Sequence, residues 1–336
     1  NTLLTGITDF LVLSILKIKG DCYAYEISKY ITSESNKLLS ISPNTIYTVM
    51  YKLENEHMIS EYSVLVGKKR TRVYYHIEAD GETYLEGLNI DNAQLYNAMK
   101  EHRDISSSQP SPGQLIEFWE NILKDGYDQI VYIPMSSGLS NSCHNSIQFS
   151  RDYDGKIQVV DNHRISLTQE ASVLSALLLA QQGLTAEEIK NYLEERAYQA
   201  SIYITVDSME YLKKGGRVTP AAAAFASVLN LKPILTIQGD KLDTYAKARG
   251  MKQAEEKMIE AIKQDRLTRF ADVPDHQLRI ETAGTFENEE KSEQWRQLVQ
   301  SAFPSIPVSY VDLPCSIACH VGINAVGTAI MKREAL

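Results

Sequence analysis

Residues 129–147 of the chain read QIVYIPMSSGLSNSCHNSI. The run from Gln129 to Pro134 is rich in β-branched and aromatic side chains and predicts a buried strand. Small hydroxyl residues then surround a glycine, and the segment from Asn141 onward is typical of the start of a helix. The backbone N–H groups of such a turn, the helix dipole and the hydroxyls of Ser136 and Ser137 favour binding of a carboxylate or a phosphate. A well-capped strand–helix junction without any ligand is equally consistent with this pattern.

The bulk composition indicates a folded protein of two or three domains. The chain has 336 residues, of which 43% are hydrophobic and 23% are charged, and this length exceeds that of one small domain. No apolar run reaches the roughly 20 residues of a membrane helix, and the first residues lack the features of a secretion signal, so we expect no membrane span. Four cysteines are too few for a disulfide framework, which makes a reducing cytoplasm the expected location.

The net charge of −9 is unevenly distributed along the chain. Residues 1–80 contain nine basic and nine acidic side chains, so the whole −9 falls on the remaining residues. The acidic remainder is therefore a poor general binder of nucleic acid, whereas the neutral first part can bind one if its basic side chains share a face.

The first 80 residues are predicted to form three helices followed by a hairpin. Apolar stripes predict helices over residues 7–18, 25–31 and 44–57, and Ser42-Pro43 fits an N-cap followed by a proline at the first helical position. Two alternating strands, residues 60–66 and 71–77, flank a basic turn. This is the order of a winged helix-turn-helix, in which the third helix enters the major groove and the wing approaches the phosphates.

The charged tip of the hairpin could be merely solvated, but its position after three helices favours contact with DNA. The residues that we expect to contact DNA are Asn44, Thr45, Tyr47, Thr48, Lys52, Lys68, Lys69, Arg70 and Arg72.

Three segments of this part resemble the PadR-type transcriptional regulators: YAYEISKYI (23–31), NTIYTVMYKLENEHMI (44–59) and TRVYYHIEADG (71–81). The resemblance covers about residues 1–85 and implies a winged helix that binds double-stranded DNA as a homodimer. Met50 and His57 depart from the leucine and glycine that are commoner in that family. The family's long C-terminal dimerisation helix is not evident after Gly81.

Strands and helices alternate in the rest of the chain, which predicts an α/β fold with a parallel sheet. Helices are expected at residues 95–100, 113–124, 167–182 and 186–200, with a buried strand at 156–162. A second alternation starts with SIYITVDS at residue 201, and its strands are expected to be partly antiparallel.

Seven segments of this part resemble separate motifs of the DegV family, in the family's order. They are SSQPSPG (107–113), YIPMSSGLSNS (132–142), VVDNHRIS (159–166), VDSMEYLKKGGRVTPAAA (206–223), LNLKPIL (229–235), KARG (247–250) and CHVGINAVG (319–327). The resemblance covers about residues 81–336, but the family's opening strand, which ends in T-D-S, is missing. It implies a protein that holds a long-chain fatty acid between two α/β domains and presents its carboxylate to an ATP-dependent fatty acid kinase, with no cofactor besides the bound fatty acid.

The predicted architecture is therefore an α/β two-domain DegV-like body with an N-terminal winged helix-turn-helix of the α+β class. We expect a PadR-like DNA-binding domain at residues 1–85, a first lipid-binding domain at 86–200 that is incomplete at its start, and a second domain at 201–336.

The DegV resemblance implies which residues hold the ligand. The carboxylate is expected among Ser107, Ser136, Ser137, Arg217 and His320, since a guanidinium, hydroxyls and a helix N-terminus suit such a group. The acyl tail is expected along a helix of small residues, with Ala222, Phe225, Ala226 and Leu229 as its lining. Alternatively, Arg217 forms an ordinary salt bridge and His320 is a satisfied core histidine.

No complete catalytic set is visible, so we expect a binding protein and not an enzyme. The segment MSSGLS is not the GxSxG of a hydrolase, and KKGGR is not a phosphate-binding loop. Cys315, Cys319 and His320 lack a fourth ligand at a suitable spacing, so no metal is expected. The alternative to a fatty-acid carrier is a PadR-type transcriptional regulator whose DNA affinity responds to lipid.

Overall fold

A computed structural model of the protein describes residues 5–35, 37, 39–55, 58–66, 70–77, 90–224, 231–237 and 241–333. The chain divides into two compact units. The first contains the described residues up to Asp91 together with His102–Asp104, and the second contains Asn92–Glu101 and the described residues from Ile105 onward.

The first unit has the helix and strand order of a winged helix, as predicted. Its elements are α1 (Thr5–Lys19), α2 (Ala24–Glu34), α3 (Pro43–Asn55), β1 (Ile59–Val66) and β2 (Arg70–Ile77). The two strands pair antiparallel from Ile59↔Ile77 to Val66↔Arg70. The apolar stripes of the three helices meet in one core, whose fully buried members include Val12, Ile27, Ile46, Met50 and Leu53.

The second unit begins with alternating helices and strands. Its first elements are α4 (Asn92–Lys100), α5 (Pro112–Lys124), β3 (Ile130–Tyr132), α6 (Asn141–Ser150), β4 (Ile157–Val159), α7 (Ser166–Gln181) and α8 (Ala186–Glu195). Strands β3 and β4 are parallel, as expected, and they form a two-stranded sheet. The division of this unit near residue 200 into two domains stays a prediction.

The prediction of a helix over residues 186–200 is wrong at its C-terminal end, because α8 stops at Glu195. The buried guanidinium of Arg164 donates to the carbonyl oxygens of Ala197 and Arg196, at 3.1 and 2.6 Å. These carbonyls are therefore satisfied by a side chain, and the chain turns into the next strand at Ala200.

The rest of the second unit forms a mixed six-stranded sheet covered by helices. Its elements are β5 (Ala200–Thr205), α9 (Glu210–Gly215), α10 (Pro220–Ala224), β6 (Leu231–Ile237), β7 (Asp243–Arg249), α11 (Met251–Leu267), β8 (Leu278–Gly284), α12 (Glu289–Ala302), β9 (Val308–Asp312), α13 (Cys315–Val321) and β10 (Val326–Lys332). The strand order is β7-β6-β5-β10-β8-β9, and only β8 and β9 are parallel neighbours. The expectation of partly antiparallel strands is thus confirmed.

The six-stranded sheet has one apolar cluster on each face. Ile280 and Ile330 pack with α11 and α12 on one face. Ile204, Ala283 and Ala329 belong to the other cluster, together with residues of α7 and α9. Within the described residues, no helix is long and apolar enough to cross a membrane.

Candidate functional site

The turn after β3 is held by hydrogen bonds within the protein. The backbone N–H of Ser136 donates to the carbonyl oxygen of Arg164 at 2.8 Å, and that of Gly138 donates to Oγ of Ser136 at 3.2 Å. The N–H of Ser137 donates to Oδ1 of Asp161 at 3.3 Å. Ser140 caps α6 by accepting a hydrogen bond from the N–H of Ser142. These donors are already satisfied, which is the geometry of a capped junction.

An apolar cavity of about 260 Å³ lies on the face of the six-stranded sheet that carries Ile204 and Ala283. Its lining comes from the loop before α5, the turn before α6, the start of α7, the central strands and α13. The lining residues are Ser107, Ser108, Gln109, Pro110, Met135, Leu139, Ser140, Ser142, Ile165, Ser166, Leu167, Ile202, Ile204, Leu212, Arg217, Ile237, Leu242, Ala283, Leu313, Ser316, Ile317, His320, Val321, Gly327 and Thr328.

Three of the five predicted carboxylate-binding residues line this cavity, namely Ser107, Arg217 and His320. Oγ of Ser107 lies 2.7 Å from Nε2 of His320, although the two residues are 213 positions apart in the chain. Ser136 and Ser137 lie in the neighbouring turn and are not part of the lining. Their assignment to the carboxylate stays a prediction.

Among the described residues, one side chain supplies the charge of the cavity lining. Burial and the nearby Arg217 guanidinium lower the pKa of His320 to about 4, so the imidazole is neutral at physiological pH. Among the described lining residues, only Arg217 and His320 are titratable. The cavity therefore presents one positive charge beside a neutral imidazole and several hydroxyls, which suits a ligand with one negative charge and a long apolar part.

The match to the DegV family model extends over residues 68–333, and the family is described as uncharacterised. The chain belongs to the DegV family. A DegV domain-containing protein of Listeria innocua is 28% identical over 255 residues, which cover 74% of this chain and 86% of the relative.

Solved structures of the DegV family have the same fold. One is titled as fatty acid binding of a DegV family protein from Thermus thermophilus; it is 25% identical, has a TM-score of 0.67, and the match covers 75% of this chain and 88% of that one. Another is titled as a fatty acid binding DegV family protein from Streptococcus agalactiae; it is 26% identical, has a TM-score of 0.67, and the match covers 76% and 88%.

Of the four residues predicted to line the acyl tail, the structure describes only Ala222, so this assignment stays a prediction. Ala222 is fully buried in the apolar cluster beside the cavity and is not part of the lining. Phe225, Ala226 and Leu229 lie outside the described residues.

The main apolar residues that sequence reasoning missed are on the strands. Ile202 and Ile204 line the cavity from β5, and Gly327 lines it from β10. The alternation of residues along SIYITV placed Ile202 and Ile204 on one face, but it could not show that this face borders a cavity.

The start of α7 is a further part of the cavity that sequence reasoning missed. Ile165, Ser166 and Leu167 line it, and no side chain caps the helix at Ile165. Ser166 has a φ of 54°, a left-handed conformation that costs on the order of 1–3 kcal/mol for a residue other than glycine. The N-terminus of α7, where this residue lies, borders the cavity.

Helix α3 of the first unit has an exposed polar face. Asn44, Thr45, Tyr47 and Thr48, which we predicted to contact DNA, are exposed. The PadR-like transcriptional regulator family matches residues 12–87, so this helix belongs to a PadR-like winged helix.

The remaining predicted DNA contacts are placed as follows. The ammonium of Lys52 is exposed and forms an ion pair of 2.5 Å with Asp9. Lys68 and Lys69, and the side chains of Arg70 and Arg72, lie outside the described residues.

Tyr51 is a candidate contact that sequence reasoning missed. It follows Tyr47 by one helical turn on α3 and is 70% exposed. The spacing of four residues placed both rings on one helix face, and a large exposed aromatic side chain on such a face is typical of a binding surface.

Neither the cysteines nor the acidic residues point to a metal centre. All four cysteines are buried, and none of them forms a disulfide. The described residues contain no group of three or more His, Cys, Asp or Glu side chains that could hold a metal ion.

Proposed function

We propose that the DegV-like unit binds a long-chain fatty acid, with the carboxylate at Arg217, His320 and Ser107 and the acyl tail in the apolar cavity. The observation that carries this proposal is the guanidinium of Arg217, which is the one charged side chain in the lining that the structure describes. The related proteins of Thermus thermophilus and Streptococcus agalactiae, which are described as fatty acid binding, support it.

The cavity is large enough for a hydrocarbon chain. A cavity of about 150 Å³ in another protein takes up benzene, and the cavity here measures about 260 Å³. Each buried methylene contributes about 0.8 kcal/mol, whereas a hydrogen bond to a charged group contributes about 1.5–3 kcal/mol. The tail therefore supplies most of the affinity, and the polar residues fix the orientation of the ligand.

The geometry favours binding over hydrolysis. Ser107 and His320 are in hydrogen-bond contact, as in a serine hydrolase, but a histidine with a pKa of about 4 is a weak general base at neutral pH. The backbone of Gly215 lies against Nδ1 of His320. In serine hydrolases a carboxylate lies at this position and orients the histidine. Here the position is taken by the backbone of a glycine.

The experiment is native mass spectrometry of the full chain before and after delipidation, followed by titration with palmitate. We expect the purified chain to carry a mass equal to one fatty acid, and the delipidated chain to take up one palmitate. Hexadecane and the methyl ester of palmitate serve as ligands without a carboxylate. A delipidated chain that takes up no palmitate would contradict the proposal.

We further propose that the bound carboxylate is presented to an ATP-dependent fatty acid kinase. Ser107 and Ser108 at the cavity are exposed, so a partner can approach the carboxylate there without unfolding the protein. We place this exchange in the cytoplasm, where four cysteines without a disulfide stay reduced. The test is ATP-dependent phosphorylation of palmitate by a fatty acid kinase. We expect the loaded chain to serve as substrate, and the same rate with free palmitate alone would contradict the role.

The second candidate function is a lipid-responsive DNA-binding regulator. The exposed polar face of α3 within a PadR-like winged helix favours it. A homodimer would read two half-sites. The test is a gel-shift selection from random double-stranded DNA with the lipid-free chain, repeated after loading with palmitate. Selection of no sequence, or a strictly monomeric chain on DNA, would contradict this function.

A further inference from the structure

Gly327 occupies a central position in the six-stranded sheet. It lies inside β10, between Ile204 of β5 and Ala283 of β8 in the strand register. Glycine inside a strand weakens the strand, and it often marks a place where a ligand approaches the backbone closely.

The fold itself does not require glycine at this position. Gly327 is not among the residues with a left-handed backbone. A Cβ atom there would be 3.6 Å from the carbonyl oxygen of Tyr203 and at least that far from Ala283 and Ile204, which are ordinary contacts. Gly284 on the adjacent strand is different, because a Cβ there would lie 2.6 Å from the ring of Phe286 and 2.9 Å from a carbonyl oxygen.

A side chain at residue 327 would point toward the cavity. Side chains alternate along a strand, and Ala329 and Met331 of β10 belong to the apolar cluster that borders the cavity. Val326 and Ile330 belong to the cluster on the opposite face. Gly327 itself is part of the cavity lining, so added atoms would occupy space that is now open.

The backbone at Gly327 cannot easily move away from the cavity. Strand β10 is paired on both sides, with β5 and with β8. The indole Nε1–H of Trp295, a residue buried on the opposite face, donates to the carbonyl oxygen of Gly327 at 2.9 Å. The strand is therefore held from three directions.

We propose that Gly327 determines how long an acyl chain the cavity accepts, because its missing side chain leaves room for the tail on the floor of the cavity. This proposal rests on the proposed fatty-acid binding. The stability of the sheet does not explain why a glycine is present at this position, whereas a role in selecting ligand length does.

The test measures the dissociation constants of octanoate, dodecanoate, palmitate and stearate for the delipidated full chain and for Gly327→Ala and Gly327→Val. We expect octanoate to bind all three proteins within twofold. Affinity for the longer acids should fall by about fourfold for each methylene group that the new side chain displaces from the cavity. The loss of affinity should be larger for the valine variant than for the alanine variant.

Controls separate ligand selection from damage to the fold. Gly113→Ala, in which the new Cβ meets no atom within 4 Å, should bind all four acids as the wild type does. Thermal unfolding midpoints show whether each variant is folded, and Gly327→Ala decides the question if the valine variant does not fold. An equal loss for all four acids, or an unchanged profile, would overturn the role of Gly327. A wild-type chain that binds none of the acids would overturn the proposed function as well.

Discussion

Gly215 lies so near the ring of His320 that any side chain there would clash with it. A Cβ atom on Gly215 would come within 2.6 Å of Nδ1 of His320, and the carbonyl oxygen of Gly215 accepts a hydrogen bond from Nη1 of Arg217. One residue at the end of α9 therefore positions both the imidazole and the guanidinium that line the cavity.

This contact predicts that Gly215→Ala weakens fatty-acid binding. The new methyl group would push the imidazole away and break its hydrogen bond with Ser107, and loss of one such bond corresponds to about a tenfold lower affinity. Isothermal titration of the delipidated variant with palmitate measures the effect. Gly113→Ala adds the same methyl group in open space and should bind normally. Wild-type affinity in Gly215→Ala would show that the ring has room to move.

Arg217 should matter for the carboxylate and not for the tail. Arg217→Gln removes the only charged side chain among the described residues of the cavity lining, and we expect a loss of about 10- to 100-fold in affinity for palmitate. Binding of hexadecanol should change less than threefold, because the alcohol carries no charge. Lys213→Gln removes an exposed cation from α9 that does not line the cavity, and it serves as the matched control. Equal losses for the acid and the alcohol would mean that Arg217 acts on the fold.

The buried His320 predicts a defined pH dependence of stability. Its pKa is about 4 in the folded chain and about 6.5 in the unfolded chain, so the unfolded state binds more protons between these values. Stability is therefore lost as the pH falls from about 6.5 to about 4. The His320→Gln variant lacks this contribution. We expect the free energy of unfolding to fall in both proteins between pH 7 and pH 4.5, and the decrease in the variant to be smaller than that in the wild type by roughly 2–3 kcal/mol.

Urea unfolding at both pH values measures this difference. His144→Gln, at an exposed position of α6, is the control and should keep the wild-type pH dependence. Parallel pH profiles for the wild type and His320→Gln would show that folding does not lower the pKa of the imidazole.

The exposed tyrosines of α3 predict a loss of DNA binding without a loss of stability. Tyr47 and Tyr51 are 50% and 70% exposed, so Tyr47→Ala and Tyr51→Ala remove little buried surface. We expect each to lower affinity for the selected DNA at least about tenfold at fixed salt. Tyr127→Ala removes a 64% exposed tyrosine from the other unit and should leave DNA binding unchanged. Wild-type DNA affinity in both α3 variants would exclude this face as the contact surface.

Local patterns predicted the elements well where neighbouring residues decide the structure. The helix predicted over residues 44–57 is α3 at Pro43–Asn55, because its apolar stripe and its Ser42-Pro43 start are local signals. The helix predicted over 186–200 ends early because the side chain of Arg164, about 30 positions earlier, binds the carbonyls of Arg196 and Ala197. No local pattern contains that information.

The amino-acid sequence by itself determined the winged helix, the alternation of strands and helices, the family, and the chemical types of Ser107, Arg217 and His320. These depend on periodicity, capping and motif order, which act over short stretches of chain. Only the tertiary structure decided that Ser107 meets His320, that the Ser136–Ser137 turn is satisfied from within the protein, and that Ile204, Gly327 and Ala283 lie side by side beneath the cavity. The reason is physical: the register of strands far apart in the chain sets which side chains share a face, and packing sets where a void remains between them.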